Sequence, residues 1–238
     1  MSKHAILNSA DHNRLRVRPE RSAELGDAVM CCVTFPDEFR NVQNHYPILF
    51  QLSPDRDTFT ALALFGFENG ENLFLDAKGW NARYLPLAID IQPFLIGLSA
   101  DADGEKQVHI DMASQRVSHE DGVRLFDDAG QPSPYLEEIS AKLGALDVGY
   151  QGAADFLSAL RDYNLLEPFS LDIELADASK NRLVGFHIIN EERLRALDAS
   201  ELGALHRAGH LFPIFMALAS LSNLGAMAAQ KNLRLNAD

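Results

Sequence analysis

An α+β fold is predicted for this chain: an antiparallel β-rich N-terminal half interlocked with C-terminal helices and a second β-hairpin. Three features predict it. Between residues 29 and 117, short runs rich in Val, Ile, Leu and Phe recur, separated by Pro, Gly, Asp and Asn. After Gly130 the apolar residues change to helical spacing. At residues 169–189 the two-residue alternation of strands returns. Because strands lie on both sides of the middle helices, and no repeat, low-complexity run or Gly/Ser linker intervenes, one domain over residues 1–238 is expected.

The N-terminal strands are expected at residues 30–35, 48–52, 59–67, 73–76, 94–98 and 107–112. Asn69-Gly70 takes positive φ readily, so the strands either side of it are expected to pair as a hairpin. Ser133-Pro134 supplies an N-cap and a first-turn proline for a helix over 135–146, whose buried stripe is Leu136, Ile139, Leu143 and Leu146. A second helix is expected over 153–165, ended by Asn164 and the Glu167-Pro168 step. Phe169, Leu171, Ile173 and Leu175 alternate with polar residues, and the chain returns at 182–189 to close the second hairpin. Asn190 and Ala199-Ser200 then start helices. The uncharged stretch 211–230 is about long enough to span a bilayer. Pro213, Ser220, Ser222, Asn223, Gly225 and Gln230 interrupt it, so a buried core helix is expected and no integral membrane insertion.

With 47% hydrophobic and 23% charged residues in 238, the chain can bury a sizeable core. A formal net charge of −13 repels phosphate, which argues against nucleic acid and anionic lipid as partners. The densest basic run, Arg14, Arg16, Arg18 and Arg21, is diluted by Glu20 and Glu24 and reads as a solvated segment. Cys31 and Cys32 are adjacent, which suits free thiols better than zinc or a disulfide. The N-terminus lacks the sustained apolar core of a secretory signal, so a cytoplasmic location is expected.

The segments FPDEFRNVQNHYPILF (35–50), ALFGFENGENLFLDAKGWNARYLPL (63–87), QPFLIGL (92–98), LLEPFSLDIEL (165–175) and INEERLRALDASELGALHRAGHLFPIFMALASLSNL (189–224) together resemble the bacterial SapC family over nearly the whole chain. The resemblance implies an association with surface layers. It also implies a genomic setting beside cupin-like oxygenases, halogenases and TonB-dependent receptors, and hence a role in handling or modifying an imported molecule. The permease label that some relatives carry does not suit a chain with one apolar stretch at most.

No GxSxG, P-loop, GxGxxG or HExxH is present, so no sequence motif names a reaction. The expected recognition site is the loop 79–87 with Trp80, Arg83 and Tyr84, joined by Arg40, Gln43 and Tyr46, because aromatic and Arg side chains bury area and hydrogen-bond together. Packing of Trp80 into the core and pairing of Arg83 with Asp76 or Glu71 is the competing reading. His109 and Asp111 have the His-x-Asp spacing of non-haem Fe(II) oxygenases, with His187 on a later strand as third ligand. Against that stands Asp111 as a turn cap or as a partner of Arg116. In the family pattern that this block resembles, Ile110-Asp111 is more characteristic than His109. His206 and His210 share one helix face without a further ligand, and Asp101-Ala-Asp-Gly104 lacks the rest of a calcium loop. The expected function is therefore a binding or accessory protein of a bacterial surface-layer or uptake and modification system, needing no cofactor; the alternative is an Fe(II)-dependent oxygenase.

Overall fold

The computed structural model describes residues 3–98, 105–176 and 180–236. The acidic turn at 101–104 lies outside the described residues. The N-terminal elements are β1 (His4–Ile6), α1 (Ser9–His12), β2 (Arg16–Val17), a 3-10 turn (Ala23–Leu25), β3 (Cys31–Val33), α2 (Phe39–Val42), β4 (Ile48–Leu52) and β5 (Phe59–Leu64). Next come β6 (Leu75–Asp76), β7 (Gly79–Trp80), α3 (Leu87–Asp90), β8 (Phe94–Leu98), β9 (Lys106–Asp111), β10 (Val117–Ser118) and β11 (Val123–Arg124). The chain continues as α4 (Pro134–Asp162), β12 (Leu166–Glu174), β13 (Lys180–Ile189), α5 (Glu191–Arg195), α6 (Ala199–Arg207), α7 (Leu211–Ser220) and α8 (Asn223–Leu235). Among the described residues every strand pairing is antiparallel, and the mixture is α+β.

The chain forms two compact units, each assembled from separate segments. The first takes Met1–Ala28, Leu75–Trp80 and Leu87–Val148; the second takes Val29–Phe74, Asn81–Pro86 and Gly149–Asp238. In the first unit, sheet β1-β9-β8, sheet β10-β2-β11 and the β6-β7 ribbon accompany the first part of α4. Leu15, Val17, Phe94, Ile110, Leu125 and the predicted stripe Leu136, Ile139 and Leu143 form its core.

Irregular backbone in this unit is held by buried charge. Arg116 is fully buried and donates to the carbonyls of Arg18 at 3.1 Å and Glu20 at 2.7 Å and to the Asp27 carboxylate at 2.5 Å. Arg21 donates to the Ile89 carbonyl at 2.8 Å and pairs with Asp90 at 3.2 Å and Asp27 at 3.5 Å. Burial, then the neighbouring Arg116 charge, lowers the Arg21 pKa. The basic run is therefore not simply a solvated segment, because Arg21 is recruited to organise buried loops. The expected Arg116–Asp111 pair is likewise replaced by Arg116–Asp27.

The second unit is a five-stranded sheet in the order β12-β13-β4-β5-β3 with the remaining helices around it. The second hairpin forms as the alternation predicts, with Leu166 opposite Ile189 and a bulge between Phe169 and Leu171. Pro168 is tolerated in β12 because that strand is an edge. Around Asn69-Gly70 the turn forms, with Gly70 at φ +82°, and the Leu73 N–H donates to the Phe65 carbonyl at 2.8 Å, but among the described residues the flanking segments form no strand ladder with each other. At Leu62–Leu64, the end of β5 nearest the turn, both edges are already taken by β4 and β3, and β6 pairs with β7.

The two helices expected at 135–146 and 153–165 are one continuous α4 of 29 residues. Gly149 and Gly152 each weaken a helix by about 1 kcal/mol, yet neither breaks it. A Cβ at position 149 would lie 3.2 Å from the Phe35 side chain, so the glycine admits that ring. The helix ends at Asn164, which takes φ +53° beyond the last turn. Helix α7 packs on α2, β4 and β13, and the buried Ser220 hydroxyl accepts from the Ile48 N–H at 2.8 Å. Among the described residues, Leu211–Leu235 is the one helix long and apolar enough to cross a bilayer, and integral insertion is not indicated. It is not a wholly buried helix: Pro213, Ile214, Ala217, Ser220, Met227 and Lys231 face the unit while the opposite face is open.

Candidate functional site

The second unit carries a groove of about 350 Å3 where one strand stops before its neighbour does. β3 pairs with Leu62, Ala63 and Leu64 of β5, and the Thr34 N–H still donates to the Ala61 carbonyl at 3.0 Å before Pro36 turns the chain away. Backbone groups two residues apart on a strand face the same neighbour. The N–H and C=O of Phe59 therefore point to the side that β3 has left, while Leu52 lies across from it in β4.

The opposite wall is the last part of α4. Tyr150, Ala153, Ala154, Leu157, Ser158 and Arg161 line the groove. Their spacing puts them on one helix face, over about 16 Å at 1.5 Å per residue. Val33, Thr34 and Phe35 line the end where β3 stops. Tyr150 is 68% exposed and sets its ring edge-on to Phe35 at 6.1 Å, marking one mouth. Small side chains at 153, 154 and 158 leave the space that bulky ones would fill.

Arg161 sits at the other mouth. Its guanidinium donates to the Asp57 carbonyl, and among the described residues it has no ion pair. The Asp57 carboxylate accepts instead from the Ser53 hydroxyl at 2.9 Å, which holds its pKa below the usual carboxylate value. Thr34 and Tyr84 donate to the buried Glu38 carboxylate at 3.2 and 2.6 Å. Cys31 and Cys32 are half-buried free thiols. Burial raises both thiol pKa values, and for Cys32 the Glu38 carboxylate raises it further, so neither is poised as a thiolate nucleophile.

None of the six residues expected to recognise a ligand lines this groove. Tyr46 is fully buried, packs edge-on against Phe65 and Phe74, and donates to the Tyr84 carbonyl at 2.5 Å. Trp80 lies in β7 of the first unit, half-buried and opposite Leu75. Gln43 bonds to the neighbouring Asn44 at 2.7 Å. Arg40 and Arg83 are exposed, and among the described residues Glu71 pairs with Lys231, at 3.0 Å, and not with Arg83.

Among the described residues no three His, Cys, Asp or Glu side chains converge as a metal site requires. His109 and Asp111 belong to the first unit and His187 to the second. Asp111 caps a turn, accepting from the N–H groups of Lys3 at 2.9 Å and Ala113 at 3.0 Å, and these bonds lower its pKa. The His109 ring lies across Gly97, where a Cβ would come 2.3 Å from its Nε2. His187 stands edge-on to Phe59 at 5.0 Å, and burial, with the charge of Arg56, lowers its pKa. His210 packs on Phe156 at 5.6 Å and burial lowers its pKa, while His206 is exposed.

An α+β protein of antiparallel sheets with one open strand edge facing a small-residue helix face is the class that these features define. The chain belongs to the SapC family, whose family model, described as SapC, matches residues 7–227 of the 238. No curated protein and no solved structure matches it.

Proposed function

We propose that this chain is a cytoplasmic binding protein, accessory to a bacterial surface-layer or uptake and modification system, that takes the C-terminal end of an extended peptide into the groove of its second unit. The observation that carries the reading is the free edge of β5 at Phe59 facing the α4 wall, with Arg161 beyond it. A chain that continues the track of β3 runs antiparallel to β5, as β3 does. Its carboxyl end then comes to Asp57 and Arg161, where the guanidinium N–H groups not used by the Asp57 carbonyl meet it. From Asp57 to Ala61 the edge spans about 13 Å at about 3.3 Å per residue, the length of three or four peptide residues. Ala153, Ala154 and Leu157 favour apolar side chains on the inward face. A cytoplasmic peptide binder also suits the handling of an imported molecule that the family resemblance implies.

Calorimetric titration tests this with apolar tetrapeptides supplied as free acids and as C-terminal amides. The free acids bind, and amidation or Arg161→Gln each weakens binding about fivefold to tenfold, the size expected for an exposed charge-assisted contact. Ala154→Trp fills the groove and abolishes binding. Equal affinity for acid and amide, or no binding at millimolar peptide, overturns the proposal.

A further inference from the structure

We infer that the open face of α7 and α8 pairs with the same face of a second copy of this chain, antiparallel and about a two-fold axis near Ser222. The two helices behave as one rod, because Leu221 and Ser222 between them keep helical backbone angles, φ −64° with ψ −22° and φ −58° with ψ −24°. Along that rod Phe212 and Phe215 are each 51% exposed and Leu233 is 70% exposed. Ala219, Ser222, Ala226 and Ala229 between them are exposed too. From 212 to 233 the steps alternate three and four residues, the repeat of a helix-to-helix seam. The opposite face, with Ile214, Ala217 and Met227, is already buried on its own unit.

The stripe is its own complement. Reversed about Ser222, Phe212 comes opposite Leu233, Phe215 opposite Ala229, and Ala219 opposite Ala226. Large meets large at the ends and large meets small next to them, while the alanines at the centre let the backbones approach. That is the condition for an isologous two-fold interface.

Charge points the same way. In a chain of net charge −13, the segment from Leu202 to Asn236 holds no Asp or Glu, so two copies touch there without apposing carboxylates. Lys231 and Arg234, the Lys and Arg residues of α7 and α8, do not reach outward as they would toward lipid. Lys231 turns back to Glu68 at 2.6 Å and Glu71 at 3.0 Å, and Arg234 to the Asn72 and Leu73 carbonyls at 3.1 and 2.5 Å. A face of 25 residues is about 37 Å long and about 12 Å wide, so two copies cover on the order of 1,000 Å2. That is the lower limit for specific pairing and implies a micromolar, reversible dimer.

Sedimentation equilibrium of the full chain between about 5 and 300 µM tests it, with co-sedimentation on phosphatidylcholine/phosphatidylglycerol vesicles run alongside. The expected result is a concentration-dependent dimer that Phe215→Glu weakens at least tenfold, with the far-ultraviolet dichroism and melting temperature unchanged. A second pair of variants fixes the register. Ala219→Lys with Ala226→Lys, and Ala219→Glu with Ala226→Glu, should each be monomeric alone and form a heterodimer when mixed. A chain that stays monomeric at 300 µM overturns the inference, as does a dimer indifferent to Phe215→Glu. Binding to vesicles by a monomeric chain overturns it too and assigns the face to lipid.

Discussion

Removing the carboxylate of Asp27 should cost the first unit more than any change on its surface. Asp27 and Arg116 are 0% and 1% exposed, and their contact at 2.5 Å is the charge balance for a guanidinium that also anchors the Arg18 and Glu20 carbonyls. Asp27→Ala leaves Arg116 buried without a counter-charge and sets it against Arg21, whose pKa it already depresses. Breaking such a pair costs about 3–5 kcal/mol. For a chain of this size each kcal/mol lowers the melting temperature by about 2–4 °C, so a fall of about 6–20 °C is expected. Differential scanning calorimetry measures it, with urea denaturation at 25 °C as the check. Replacing the pair by apolar residues, Asp27→Leu with Arg116→Met, should recover only part of the loss, because the two carbonyls then lack their donor. A loss below about 1 kcal/mol for Asp27→Ala would refute the reasoning, since it would mean that the pair holds neither charge nor loop.

Two further outcomes follow from local geometry. Gly97→Ala should destabilise by about 1–3 kcal/mol by overpacking, because its Cβ would meet His109 Nε2 at 2.3 Å. The loss should vanish in a His109→Ala background; equal urea midpoint shifts in both would show that the ring is not the obstacle. The Lys231 cluster sets a pH dependence. Hydrogen bonds from Lys231 and Asn181 lower the Glu68 pKa, so its stabilisation is present above the ordinary 4.5 and is lost as pH falls through the folded value. Burial pushes Lys231 down, but bonds to Glu68 and Glu71 lift it above 10.5, so its share is complete below 10.5 and lost as pH rises past the folded value. The stability difference between wild type and Lys231→Met should therefore be widest between these limits and narrower at pH 3, and a difference that ignores pH denies the pairing.

Local chemistry made some elements legible and long-range competition hid others. The second hairpin was readable because its alternation is uninterrupted and β12 has a free edge to tolerate Pro168. The Ser133-Pro134 start and Asn164 end of α4 were readable because caps act within one turn. Its continuity was not, since Gly149 and Gly152 fall in the gap between the two expected helices, and the Phe35 ring that lies against Gly149 comes from more than a hundred residues earlier. Asn69-Gly70 forms a turn for local reasons, but which strands pair depends on what else occupies β5, and no window around the turn contains that.

The candidate site was hidden for a related reason. Residue type favoured Tyr46 and Trp80, since aromatic groups carry recognition energy wherever they are exposed, but Tyr46 is sealed between Phe65 and Phe74. The groove depends instead on what is missing: a strand that ends at Val33, and small side chains where a packed helix would carry large ones. Its one readable trace is the face of α4 from Tyr150 to Arg161, where Ala153, Ala154 and Ser158 interrupt an otherwise ordinary helical stripe. Small residues on a helix face mean either close backbone contact or room for something else. The register of β3 and β5 favours the second meaning, because the backbone groups of Phe59 face a side from which β3 has turned away. A backbone donor and acceptor in that position need a partner, and an extended chain supplies both at the spacing the strand requires.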